Sequence, residues 1–138
     1  MKAVFDANVV VAGAGWRGQP HLCLVNVARR RVIPYATAAT LAETRATAEE
    51  LTRAGEFNRY DPWPILHWYF NVVRLVEPAP LGKQRSRDVK DDAYLACALA
   101  AKAAHLVTFD KDLLSLGKPF GIEMVTPGQL LLRLKPIL

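Results

Sequence analysis

At 138 residues and 51% hydrophobic content, the chain has the length and apolar fraction of one domain with its own core, which excludes a disordered protein. Its apolar stretches break well short of the ~20 residues of a membrane helix, and no basic segment leads into an apolar signal core, so a cytoplasmic protein with no membrane association is expected. The net charge of +5 favours anionic partners, but only as a non-specific tendency.

Residues 3–6 read as a first strand, an apolar run that ends at Asp6 with Asn8 two places later. Gly13, Gly15 and Gly18 then predict a loop, and residues 20–30 a helix with Leu22, Cys23 and Val25 facing inward. Residues 32–36 give a short second strand, where Pro34 points to an edge or irregular position. Thr37 caps a helix that passes Leu41, Glu43 and Leu51 and stops at Gly55. Pro62 and Pro64 suit the start of a helix carrying Ile65, Leu66, Trp68, Tyr69 and Val72, and residues 73–76 follow as a third strand. After a basic loop over 78–87, Asp88 caps an Ala-rich helix from about 90 to 104. A strand over 105–109 ends at Asp110, a short helix carries Leu113 and Leu114, residues 122–125 form the last strand, and Thr126-Pro127 opens a terminal helix. This alternation predicts a single domain over 1–138, a three-layer α/β/α sandwich around a mostly parallel sheet. Cys23 and Cys97 sit in apolar helical patterns without metal-ligand spacing and are expected as buried free thiols.

In such a sheet Asp6 and Asp110 both follow strands and share the carboxyl-terminal edge, where open α/β sheets bind ligands. Glu43 is expected on the inward side of its helix. Asp92 lies in the first turn of the Ala-rich helix, where unpaired N–H groups favour negative charge. Asp88 and Asp91 share that turn, so capping accounts for one or two of the three, and Asp112 is a further candidate. Two unit charges about 4 Å apart repel by about 4 kcal/mol at an effective dielectric near ~20, so converging carboxylates require a cation. Oxygen donors suit Mg²⁺ or Mn²⁺; there is no Cys/His cluster, and His21, His67 and His105 are scattered. Such ions activate water and steady the leaving oxygen in phosphodiester cleavage. Basic residues, densest at Lys83, Arg85, Arg87 and Lys90, read either as solvated faces and helix ends or, given an acidic centre, as a phosphate-tracking rim around it.

Taken in order, Val4-Phe5-Asp6-Ala7-Asn8-Val9-Val10, Leu41-Ala42-Glu43, Arg87-Asp88-Val89-Lys90-Asp91-Asp92-Ala93-Tyr94-Leu95-Ala96, Leu106-Val107-Thr108-Phe109-Asp110-Lys111-Asp112-Leu113-Leu114 and Thr126-Pro127 resemble a PIN domain. The resemblance covers nearly the whole chain and is to the bacterial, VapC-like group of toxin components of toxin–antitoxin systems. It implies a Mg²⁺- or Mn²⁺-dependent ribonuclease, usually a homodimer, often restrained by a cognate antitoxin. Residue by residue, Asp6, Glu43, Asp92 and Asp110 match the catalytic, metal-holding acids, and Asp112 matches a less constant acidic position. Asn8 and Thr108 match polar positions that orient the acids or bound water. Phe109 stands where smaller or polar residues are common, which bears on the width of the cleft. Arg17, Lys83, Arg85 and Arg87 are then the expected contacts to RNA phosphates, and the apolar surplus at Trp63, Ile65, Leu66, Trp68, Tyr69 and Phe70 reads either as core packing or as a dimer or antitoxin surface.

Three other readings compete. Gly13-Ala14-Gly15-Trp16-Arg17-Gly18 matches G-x-G-x-x-G, but Asp6 and Asn8 precede it and Tyr35-Ala36-Thr37 offers no acid for a ribose. An aspartyl-nucleophile phosphatase needs a second Asp where Asn8 stands, and an amide shuttles no proton. The third is a catalytically silent PIN-like binding or regulatory module, whose acids hold a structural ion or meet a partner.

Overall fold

The computed structural model describes residues 1–134 and 136. Strands β1 (Lys2–Phe5), β2 (Ile33–Ala36), β3 (Arg74–Leu75), β4 (His105–Val107) and β5 (Glu123–Val125) form one sheet in the order β3-β2-β1-β4-β5, parallel throughout. Around it lie α1 (Ala7–Gly15), α2 (Gln19–Ala28), α3 (Ala38–Arg53), α4 (Trp63–Val72), α5 (Val89–Ala101), α6 (Lys111–Leu114) and α7 (Pro127–Arg133). The expected α/β/α sandwich is the observed fold.

Successive strand residues point to opposite faces, and β1 shows both faces covered. Ala3 and Phe5 pack with Val10, Leu24, Leu66, Tyr69 and Leu130 of α1, α2, α4 and α7. Val4 packs on the other side with Tyr94, Leu95 and Leu113 of α5 and α6. Cys23 and Cys97 are buried and free, one in each half of the core. No helix among the described residues is long and apolar enough to cross a membrane.

The expected loop through Gly13 and Gly15 is instead helical: α1 buries Val9, Val10, Val11 and Ala14. The glycines serve close packing rather than a turn. A Cβ on Gly13 would stand 2.8 Å from the Pro20 carbonyl oxygen and 2.8 Å from Leu24 Cδ1, and one on Gly15 would stand 2.5 Å from the Phe57 ring. Because Pro20 meets it with backbone, Gly13→Ala is expected to cost about 1–3 kcal/mol despite the better helix propensity of alanine. Urea unfolding of the variant would read this as a lower midpoint with unchanged slope.

Pro34 points to an edge or irregular position, yet β2 lies between β1 and β3. Ile33 donates its N–H toward β1, to the Met1 carbonyl at 2.7 Å, so its neighbour Pro34 turns its missing donor toward β3. There the ladder begins only at Tyr35↔Arg74, and nothing is lost. The Ala-rich helix ends earlier than expected because Lys102 takes a left-handed conformation, φ 55°, and closes α5 without a glycine. On α4, Leu66 and Tyr69 are buried while Trp63, Ile65, Trp68 and Phe70 pack half-buried against the same core, so core packing takes up much of the aromatic surplus.

Candidate active site

Four elements bring acids toward the carboxyl-terminal edge of the sheet. Asp6 follows β1 at the start of α1, where its backbone N–H donates to the Val107 carbonyl at 2.9 Å and ties the ends of β1 and β4 together. The fully buried Thr108 donates its hydroxyl to Asp6 Oδ2 at 2.8 Å and accepts from the Asp110 N–H at 3.0 Å. One side chain thereby fixes two of the acids. Asp110 caps α6 through Oδ1, which accepts from the Asp112 N–H at 2.8 Å.

Burial raises the pKa of Asp6, and the nearby charges of Glu43 and Asp110 add to it, while the hydrogen bonds from Thr108 and from the Asn8 backbone oppose it. Glu43, from the second turn of α3, is exposed by area but close enough to act on Asp6. Asn8 is also exposed, and it acts on Asp6 through its backbone rather than its side-chain amide.

Asp91, in the first turn of α5, is pushed up to about 7, by burial first, then by Asp110, Asp88 and Asp6. Its Oδ2 is buried with no hydrogen-bond partner among the described residues. Tyr94, one turn on, accepts from the Ala7 N–H through its phenol oxygen at 3.4 Å. Burial and the charges of Asp6 and Glu43 raise its pKa far above the usual phenol value, so it stays a neutral donor beside them.

Asp92 is the correction to the expected set. Its two oxygens accept from the backbone N–H groups of Arg85 (2.9 Å) and Ser86 (2.7 Å), so it holds the basic loop rather than joining the other acids. The acids gathered are Asp6, Glu43, Asp91 and Asp110. One step along a helix turns a side chain by about 100°. Since α5 buries Asp91, Asp92 and the continuous run Tyr94–Ala98, no apolar stripe distinguishes the two aspartates in the sequence. The usable signal is Asp91's place three residues before Tyr94, on one helix face.

The expected phosphate contacts separate as well. Arg17 lies with its guanidinium 3.9 Å from the Tyr60 ring centre and donates to the Ala14 and Trp16 carbonyls, an anchored position at the far end of α1. Arg85 donates to the Leu81 carbonyl and packs over Phe120 at 4.9 Å. Lys83 and Arg87 are exposed on the loop that Asp92 clasps, next to the start of α5. Asp112 is half-buried in the first turn of α6, and Phe109 is 50% exposed, so its bulk lies at the rim and not inside.

As they stand, no three or more His, Cys, Asp or Glu side chains among the described residues are placed together so as to hold a metal ion. The donor set nevertheless fits a hard divalent cation: all oxygen, two carboxyls with raised pKa values, and an orphaned buried oxygen on Asp91.

The chain is thus a parallel α/β/α domain with acids near the carboxyl edge of its central strands, and sequence comparison gives its family. A family model described as PIN domain matches residues 2–112, and the chain belongs to that family, whose members are typically metal-dependent nucleases. Among solved structures it is similar to PAE2754 from Pyrobaculum aerophilum, with a TM-score of 0.60 over 96% of this chain and 88% of that one. Identity there is 20%, so the likeness speaks for the fold. No curated protein matches the chain in sequence.

Proposed function

We propose that this PIN domain is an endoribonuclease dependent on Mg²⁺ or Mn²⁺, acting in the cytoplasm as the toxin of a toxin–antitoxin pair. The observation that carries the nuclease reading is the approach of Asp6, Glu43, Asp91 and Asp110, with an unsatisfied buried oxygen among them. Those four residues would hold the ion, with Asp112 at its margin. When bound, a divalent ion supplies charge that stabilises the attacked phosphate and lowers the pKa of a water.

The chain's own residues do the rest. Thr108 holds Asp6 and Asp110 in fixed relation, so neither must reorganise when substrate arrives. Tyr94 keeps a neutral phenol against Asp6 and Glu43. Lys83 and Arg87 offer positive charge to backbone phosphates near the scissile bond, a contribution that salt weakens.

A fluorogenic RNA titrated with Mn²⁺ tests this. Cleavage that rises with the metal, stops in EDTA and is lost in Asp6→Asn is the expected result; ion binding without cleavage would favour the silent binding module instead. The toxin role rests on the motif resemblance, as do the proposed antitoxin partner and homodimer. A small upstream reading frame with a DNA-binding start, and light scattering at twice the chain mass, are the expected observations.

A further inference from the structure

We infer that the far end of α1 and α3 carries a second subsite for the same substrate, one that takes an unpaired nucleobase and its phosphate; this rests on the ribonuclease reading above. There the α3–α4 connection forms a cleft of about 310 Å³ lined by Thr52, Phe57, Asn58, Arg59, Tyr60 and Trp63. Three half-buried aromatic rings line this small cleft, Tyr60 with one face under the Arg17 guanidinium, and exposed ring edges and faces of this kind are what single-stranded bases stack on.

Two guanidiniums accompany the rings. Arg17 stands 3.9 Å and Arg59 5.9 Å from the same Tyr60 ring centre. Neither is in an ion pair; the ion pairs among the described residues lie at Glu123. The one carboxylate that lines the cleft, Asp61, accepts from the Trp63 N–H at 3.1 Å, just ahead of α4. The Asn58 amide makes no hydrogen bond among the described residues, which leaves a donor and an acceptor at the cleft for a base edge. Cations, rings and a free amide together match a nucleotide better than an apolar peptide.

The cleft is also braced from the direction of the acids. Trp16, the residue that closes α1, meets Phe57 with ring centres 5.4 Å apart, and Phe57 sits so tightly on Gly15 that no Cβ fits between them. Trp63 Nε1 donates to Thr52 Oγ1 at 3.1 Å and ties the connection back to α3. The same two helices carry Asp6 and Glu43 near their beginnings. From Glu43 to Thr52 along α3 is about 14 Å at a rise of about 1.5 Å per residue, a distance that a few nucleotides of unpaired strand can span. The Gly13–Gly18 run thus has a use, seating a stacking platform at a fixed offset from the acids.

Anisotropy of a labelled, unstructured oligoribonucleotide about ten nucleotides long, in EDTA so that nothing is cleaved, tests the subsite. Arg59→Ala, on an exposed side chain that the fold does not need, and Tyr60→Ala are each expected to weaken binding about tenfold. Wild-type tryptophan fluorescence should be quenched at saturation. If both cleft variants bind as tightly as wild type, or wild type binds no RNA, the subsite is overturned. Wild-type cleavage in Mn²⁺ is scored separately: cleavage with unchanged variant binding removes the subsite alone, whereas the binding contrast without cleavage keeps the subsite and removes the nuclease.

Discussion

Asp91→Asn is expected to lower Mn²⁺-dependent cleavage by about a hundredfold or more, while Asp92→Asn leaves Mn²⁺ affinity unchanged. Supporting residues around a metal typically account for about 10–100-fold in affinity or activity, so a direct ligand should reach at least the upper end. The expectation follows from orientation. Asp91 shares a field with Asp6 and Asp110 and has an oxygen without a partner, whereas both oxygens of Asp92 are taken by Arg85 and Ser86 N–H groups. An asparagine at 92 has one accepting oxygen for two donors, and an amide group then meets a buried N–H. That mismatch costs about 1–3 kcal/mol and releases the loop that carries Lys83 and Arg87. The Asp92 variant should therefore show weaker RNA binding with a shallower dependence on salt. Calorimetric titration of Mn²⁺ into both variants separates the roles, and ion binding lost at 92 but kept at 91 would reverse the assignment.

The second large effect is on stability without metal. A carboxyl whose pKa is higher in the folded chain than in the unfolded one binds its proton more tightly when folded. For Asp91, moved from 3.8 to about 7, that stabilisation is fully present below the unfolded value and is lost as pH rises through about 7. Asp6 shifts in the same direction and adds to it. The metal-free protein should thus melt at lower temperature at pH 8 than at pH 5.5, and millimolar Mn²⁺ should restore much of the loss at pH 8. Asp91→Asn removes the buried charge, so at pH 8 its metal-free form should melt at least about 3 °C above wild type while its activity collapses. Melting curves across this pH range, with EDTA or Mn²⁺, check both signs. A melting temperature that rises with pH in EDTA would show that these carboxyls are not held against their charge.

Most of the architecture was legible because each element carried a local signal. Thr37 with Thr40 and Thr126 with Gln129 form reciprocal caps at the starts of α3 and α7, and Asp88 caps α5, all at positions that side-chain chemistry marks. What failed to show was whatever depends on contacts between distant residues. Gly13 and Gly15 look like turn residues until Pro20, Leu24 and Phe57 are seen against them. Pro34 looks misplaced until β3 proves too short to need its donor. The approach of Asp6 and Asp110 follows from neighbouring strand ends at one edge of the sheet; Glu43, expected on the inward side of α3, is instead exposed, and the place of Asp91 depends on the rotation of α5, which a helix buried nearly all round does not reveal.

The sheet order has a consequence for biosynthesis. β4 flanks the middle strand β1, yet it is nearly the last strand to be translated, and Thr108 and Asp110 come only with it. A growing polypeptide that has already paired β1 with β2 still lacks the threonine that locks Asp6 and the aspartate that answers it. Whatever chemistry these acids perform is therefore assembled only after β4 has been translated.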